Sequence, residues 1–440
     1  MSIANDLRRH VRGRVQVAGD AGFEQAGRPW NLAVEQPVLA VVEAADTHDV
    51  AALVRYAGGA GLTVATQPSG HGASGDVAGV ILLRTGRLDE LAVRPEQRVA
   101  RVGAGVRWGR AQAEAGRHGL TGLAGSSPEV SVVGYTLGGG LSWFGRKHGF
   151  AAGGVRAFEV VDADGTQATI TEETDHELFW ALRGGGGDFA VVTALEYDLH
   201  PAPQLFGGRM VWPAERAPQL LETFREITAR APDELTVWLS LLRPADRPPV
   251  VTVDATYLGD ESDGRSLLRG FERVDGLLVD GRRRLRVAEL GEITSDPTDP
   301  GASVFRAELL TDLDDTAAKT LLAAPIDPLV GMQLRHLGGR LARPSETPAG
   351  HLAEPYLLSM VGIPTTPPVE LAVRARQREI VAALGPYVSG RKPFTQLAPE
   401  EPAALAFPED TLDGLRAIKQ RRDPRGVLRS NHPVNPIGLP

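Results

Sequence analysis

The sequence predicts an α+β protein built in two parts, and three observations carry that reading. Residues 37 to 110 alternate short apolar runs with amphipathic stretches; a Gly-rich region follows from Gly119 to Gly154; and beyond residue 204 the texture changes to apolar runs separated by helical ones. The parts are expected at 1–203 and 204–390, with 391–440 as a closing segment.

Within the first part, PVLAVVEAA, LTVATQPSG, GVILLRTGRL and VARVGAGVRW read as strands. Between the first two lies a helix expected to start at Thr47 as N-cap, to repeat Val50, Leu53, Val54 and Ala57 on one face, and to stop at Gly58-Gly59. A second helix is expected over Trp108 to His118. The pair AFEVVDADGTQATI turns at Asp164-Gly165, and Thr174-x-x-Glu177 has the spacing of a capping box for the helix HELFWALR, followed by the strand AVVTALEYDL.

In the second part GGRMVWPAE, ELTVWLSLLR, PVVTVDATYLG, SVFRAELLTDL and GMQLRHLGGRLAR read as strands, with helices near 216–230, 261–275, 315–323 and 369–384 and a loop at RPSETPAGHLAEP. The tail carries a helix capped by Asp410, with Leu412, Leu415 and Ile418 on one face and Asp423-Pro424 as its stop.

Composition narrows the chemistry. The 440 residues carry a net charge of −8, so a nucleic-acid partner, which needs a basic face, is not expected. The chain has no cysteine, which removes disulfides, thiolate metal sites, thiol nucleophiles and thioether links. MSIANDLRRHVRGRVQVAGD has no apolar leader core, and no run reaches the roughly 18 apolar residues of a membrane span; the expectation is a soluble, cytoplasmic protein without a membrane partner.

Familiar motifs fail on context. Gly185-x-Gly187-x-x-Ala190 fits a dinucleotide fingerprint as text, but here a helix precedes and a strand follows, the reverse of what brings a pyrophosphate to a helix N-terminus. GLSWFGRK misplaces its Lys for a phosphate loop and lacks the Ser/Thr. His176-Glu177-x-x-Trp180 lacks the second His of a zinc site, and no G-x-S-x-G elbow occurs.

What remains is glycine density at SGHGASG, GSSPEVSVVGYTLGGG and GGGG. Four consecutive glycines forfeit roughly 2–4 kcal/mol relative to alanine, a large fraction of a net stability of about 5–15 kcal/mol. Two causes would justify that loss: loops packed tightly on each other, or bare backbone approaching an anion such as pyrophosphate.

The stretches QPSGHGASGDVAGVILLRTGRL, VGAGVRWGRAQAEAGRHGL, GSSPEVSVVGYTLGGGLSWFGRKHGFAA, ELFWALRGGGGDFAVVT and, in the tail, LRAIKQRRDPRGVLRSNHPV resemble the berberine-bridge-enzyme-like oxidoreductases of the vanillyl-alcohol-oxidase superfamily. The resemblance spans residues 30–203 and 394–435, with a weaker likeness at QLRHLGGRLARP. It implies a PCMH-type FAD-binding domain in two pieces, the tail returning to it, and a substrate domain with an antiparallel sheet flanked by helices.

Carried over by position, the first flavin loop falls on Gln67, Ser69, Gly70, His71, Gly72, Ser74 and Gly75, with His71 bonded to the flavin 8α-methyl. Where many relatives add a thioether through Cys, this chain has Ser127, so a single tether is expected. Val132, Gly134, Tyr135, Gly138, Gly139 and Gly140 follow as lining, Val191 and Val192 for the adenosine half, and Asn431 and Pro433 over the ring system. Asp188, Ala190 and Ser131 depart from the family's usual residues.

The resemblance implies oxidation of a C–H beside an alcohol, amine or phenol of a small organic or secondary-metabolite substrate, with oxygen as acceptor. A non-oxygen dehydrogenase, a cyclase with structural FAD and a binding protein that has lost its cofactor stay open. Where relatives carry a Tyr-x-Asn pair this chain has Phe394-Thr395-Gln396, so the usual phenolic base is missing. Tyr356, His351, Arg335 and Glu308 are the catalytic candidates; Trp143, Phe144 and Phe394 are candidate apolar walls.

Overall fold

The computed structural model describes residues 3–323 and 325–435. The ends of the expected first part and closing segment, 1–2 and 436–440, lie outside the described residues.

Two five-stranded sheets share one core. The first runs Arg14–Val17, Ala40–Glu43, Ile81–Arg84, Val64–Thr66 and, from the far end of the chain, Leu428–Arg429. Its last three pairings are parallel, Leu428 lying beside Val64. The second sheet is antiparallel, in the order Leu91–Arg94, Val99–Gly103, Val191–Asp198, Val155–Val161, Gln167–Ile170. The helix Thr47–Ala60 buries Val50, Leu53, Val54 and Ala57 between them.

The third sheet is antiparallel and eight-stranded. Its main path is Val279–Asp280, Phe206–Pro213, Val250–Tyr257, Leu235–Leu242, Gly331–His336, Tyr356–Gly362, Val304–Leu310. Side chains alternate between its faces. One face packs on the helices Ala217–Thr228, Asp315–Ala323 and Pro367–Leu384 through residues such as Leu220, Phe224, Val237, Leu334 and Leu358; each fully buried Leu or Phe is worth about 1.5–3 kcal/mol. The opposite face meets the Gly-rich region of the first part: Trp143 and Phe144 pack on Leu205 and Trp238, and Leu141 and Phe150 on Leu309 and Leu357.

Local details differ from expectation. Asp46, not Thr47, caps its helix, accepting from the N–H groups of His48 and Asp49, and the helix passes through Gly58-Gly59 to end before Gly61 at φ +68°. A carboxylate one residue earlier reaches the same orphan donors that a Thr hydroxyl would. Asp175 likewise caps His176–Leu182 in place of the Thr174 capping box. Pro408 precedes Glu409–Arg422, which leaves Asp410 in the first turn. GGRLAR leaves its strand at His336 and forms a short 3-10 turn, and several strands are not expected from the sequence, among them Arg14–Val17, Leu91–Arg94 and Tyr356–Gly362.

Among the described residues no helix is long and apolar enough to cross a membrane, and no group of three or more His, Asp or Glu side chains could hold a metal ion.

Candidate active site

Between the glycine loops and the open face of the eight-stranded sheet lies a cavity of about 340 Å³. Its floor is the loop after Val64–Thr66. Gln67 is 1 % exposed; its Nε2 donates to Gln36 Oε1 at 2.6 Å and to Asn431 Oδ1 at 3.1 Å, joining loop to tail. Arg84 donates to the carbonyls of Ala26, Arg28 and Gln67, and burial lowers its pKa to about 10, still cationic at neutral pH.

His71 stands at the cavity edge. Its ring stacks on Trp30, 4.1 Å between centroids and 16° from parallel, with Nδ1 2.9 Å from Ser69 Oγ. Nε2 is buried and without a partner. Burial, then the charge of Arg107, lowers its pKa to about 4, so the imidazole is neutral at pH 7. Gln67 Oε1, Tyr135 Oη and Ser430 Oγ are further buried atoms of the lining that no protein group satisfies. Orphaned polar atoms cost about 1–3 kcal/mol each when nothing binds them.

The glycines divide into two classes. A Cβ on Gly140 would sit 2.5 Å from the Tyr135 ring, on Gly185 2.4 Å from the carbonyl of Ala181, and on Gly184 2.6 Å from Ala349: these are bare because the protein packs on them. A Cβ on Gly72, Gly134 or Gly187 would meet nothing nearer than 3.5, 3.9 and 3.9 Å, and all three line the cavity. Their bareness answers to something the cavity holds. FAD fits this lining: bare backbone for a pyrophosphate, orphaned donors and acceptors for a polar ring system, and a nucleophilic imidazole at the edge.

The lining takes in the expected residues Gln67, Ser69, Gly70, His71, Gly72, Ser127, Gly134, Tyr135, Gly138, Val191, Val192 and Asn431. It leaves out the others, for physical reasons. Val132 is the inward residue of Val132–Leu137 and is fully buried in the core. Gly139 packs on Ala349 and Phe150, and Gly140 as above. Ser74 and Gly75 line a separate cavity of about 310 Å³ with Asn31, Glu35 and Arg374. Pro433 follows His432 beyond the lining. Phe394 is a wall of the cavity; Trp143 and Phe144 lie one layer behind it.

Of the catalytic candidates only Arg335 reaches the cavity. Arg335 pairs across strands with Leu357 and Trp238, so Tyr356, one residue on from the pleat position of Leu357, points to the helix-covered face, where its hydroxyl lies 2.9 Å from that of Thr228. Glu308 is out of phase in the same way and is held by Arg306 at 2.7 Å and Lys392 at 3.2 Å. His351 is exposed on the 343–355 loop.

His432 is the residue sequence reasoning passed over, although it sits between Asn431 and Pro433, both singled out. Its Nδ1 lies 3.0 Å from the carbonyl oxygen of Glu401, an acceptor only, so Nδ1 carries the proton and Nε2 keeps a free lone pair. The aligned strand Leu428–Arg429 brings this tail beside Gln67. Asp188 clasps it, accepting from the N–H groups of Ser430 and Val434, both at 2.7 Å.

The bare backbone, the orphaned polar atoms and the imidazole at the cavity edge are what a flavin site needs, and comparison with known proteins supports FAD binding. Residues 38–171 match the FAD binding domain family. (R)-6-hydroxynicotine oxidase of Paenarthrobacter nicotinovorans is 26 % identical over 97 % of this chain and 98 % of its own. The solved structure of 6-hydroxy-D-nicotine oxidase from Arthrobacter nicotinovorans covers 97 % of this chain and 98 % of its own with a TM-score of 0.85 at 24 % identity. That of the BBE-like 1 protein of Physcomitrella patens covers 99 % and 100 % with a TM-score of 0.86 at 19 % identity; both share the fold. The chain is an FAD-linked oxidoreductase. More particularly, it carries a PCMH-type FAD-binding domain and shares its overall fold with a BBE-like protein.

Proposed function

We propose that this protein is an oxidase that removes hydride from a C–H next to an alcohol, amine or phenol of a small organic substrate, with FAD attached through His71 alone and oxygen as the acceptor. The observation that carries the reading is the unpartnered, neutral imidazole of His71 at the edge of a cavity where the protein's own packing leaves Gly72, Gly134 and Gly187 unexplained. Relatives named for a hydroxynicotine and for glucooligosaccharides set the substrate range to test, polar molecules with an oxidisable C–N or C–O carbon.

Bound FAD would supply a two-electron acceptor for the hydride. Gln67 to Gly72, Gly134, Val191, Val192 and Asn431 would hold it, and without cysteine the chain has no second covalent link to offer. Oxidation also releases a proton. Among the titratable groups of the lining, His71 belongs to the cofactor, Arg335 and Arg429 are cations, and burial pushes the Tyr135 phenol far up, only partly opposed by Arg335, so that it remains a hydrogen-bond donor. His432 is left, and its fixed tautomer presents Nε2 as the proton acceptor.

The test is direct. Purified protein should be yellow, should stay yellow through acid precipitation, and should release hydrogen peroxide with members of an amine and sugar panel. Colourless protein would sink the reading; substrate-dependent reduction of an artificial dye without peroxide would reassign it as a dehydrogenase. His432→Gln should lower kcat far more than it raises KM.

A further inference from the structure

The wall opposite the glycine loops carries a cation that, among the described residues, makes no salt bridge. In one row across the eight-stranded sheet stand Arg209, Asp254, Trp238 and Arg335, each directly paired in register with the next. Asp254 is consumed by Arg209, which holds both its oxygens at 2.6 and 2.9 Å. Among the described residues Arg335 has no carboxylate within salt-bridge distance; Asp296 and Asp254 act on it only from farther away. Its Nε donates to Gln333 Oε1 at 2.6 Å, and among the described residues no protein acceptor takes its two Nη groups.

The guanidinium is nevertheless held firmly. Its Cζ lies 4.2 Å from the centre of the Trp238 ring, and Trp143 stacks on Trp238 at 3.5 Å, which requires the opposite face. The guanidinium thus sits over one face of Trp238, whose other face is backed by Trp143, beside the cavity that Arg335 lines. A half-buried guanidinium without a salt bridge is costly, and a cation–π contact returns only about 0.5–2 kcal/mol. A guanidinium anchored through Nε, with free Nη–H donors, can take a carboxylate or similar oxyanion through two parallel hydrogen bonds.

We infer that Arg335 is a specificity residue that selects substrates bearing an anionic oxygen group, carboxylate or acidic phenolate, placed one ring or short chain from the oxidised carbon. The inference rests on the flavin lying against the glycine loops, since that leaves the sheet face to the substrate. Leu141, Val130 and Phe394 supply apolar walls for the body of such a molecule.

Calorimetric titration of the holoprotein with benzoate and with its neutral isostere benzamide tests this. Wild type should bind benzoate at least tenfold more tightly than benzamide; Arg335→Met should abolish that preference while leaving benzamide affinity within about twofold; Arg335→Lys, a point charge without the fork, should restore part of it. Equal affinity for both probes in wild type, no benzoate binding, or benzoate binding unchanged in Arg335→Met would overturn the inference. The wild-type comparison does not depend on a variant folding. Yellow protein without discrimination removes only the anion site, whereas colourless protein removes the flavin reading beneath it.

Discussion

The imidazole of His71 lies parallel to the indole of Trp30, 4.1 Å away, in a stack that orients one ring nitrogen toward Ser69 and leaves the other without a partner. The chain has no cysteine for a thioether, and on the proposed reading this nitrogen is the atom that carries the flavin. His71→Ala should therefore convert all acid-stable flavin to extractable flavin, read as loss of the fluorescent band on a denaturing gel with the fold retained by circular dichroism. A fluorescent His71→Ala band would refute the assignment.

His148 and His200 stack at 3.9 Å, each with a buried, unpartnered Nε2. Burial, then His200 and Lys147, lowers His148 to about 3, and burial lowers His200. The unfolded chain takes up these protons near pH 6.5 and the folded chain only at lower pH, for His148 near 3, so stability is full above about pH 6.5 and falls as the pH drops. The slope should reach up to about 1.4 kcal/mol per pH unit for each such histidine. Thermal melts from pH 7 to 5 should show the decline, and His148→Gln should reduce it by up to about 1.4 kcal/mol per pH unit, leaving the share of the other depressed histidines; an unchanged slope would count against the pair.

Much of this architecture was legible in the sequence because it rests on periodicity. Leu53 and Val54 mark a helix face whatever lies around them, and Val191 to Asp198 reads as a strand from its branched residues alone. Tyr356–Gly362 was missed because Pro348 and Pro355 drew attention to the loop before it, and seven mostly apolar residues do not show which face is which. That same parity decided the catalytic candidates. Arg335 and Tyr356 looked equivalent in sequence, yet cross-strand pairing of His336 with Tyr356 puts the tyrosine on the opposite face from Arg335. His432 was invisible because its role depends on the carbonyl of Glu401, 31 residues away in sequence.

Asp188 holds the tail through two backbone N–H groups, and Lys419 fastens the same turn from Asp188's carbonyl to that of Leu428. Asp188→Ala orphans two donors and should cost about 2–4 kcal/mol in denaturant unfolding. Asp188→Asn keeps one acceptor oxygen and should cost about half as much. Limited proteolysis should cut the Ala variant near residues 425–435 first; a cut elsewhere would show that the clasp is not what holds the tail.

The division of the glycines gives the sharpest separation of folding from cofactor binding. Gly140→Ala and Gly185→Ala force a Cβ to within 2.5 and 2.4 Å of existing atoms, and Gly140 also sits at φ +77°, so both should lower the melting temperature of flavin-free protein by an amount corresponding to about 1–3 kcal/mol. Gly134→Ala meets only ordinary contacts, at 3.9 Å from Pro68 and Ser131, and lies in a helix that alanine favours, so flavin-free protein should melt no lower than wild type. Its methyl group enters the cavity, however, and flavin content per chain, measured by absorbance after refolding with excess FAD, should fall. Were Gly134→Ala to load flavin fully while Gly140→Ala failed to load it from a stable fold, the bare backbone that meets the dinucleotide would be the Gly138–Gly140 run and not the glycines that open onto the cavity.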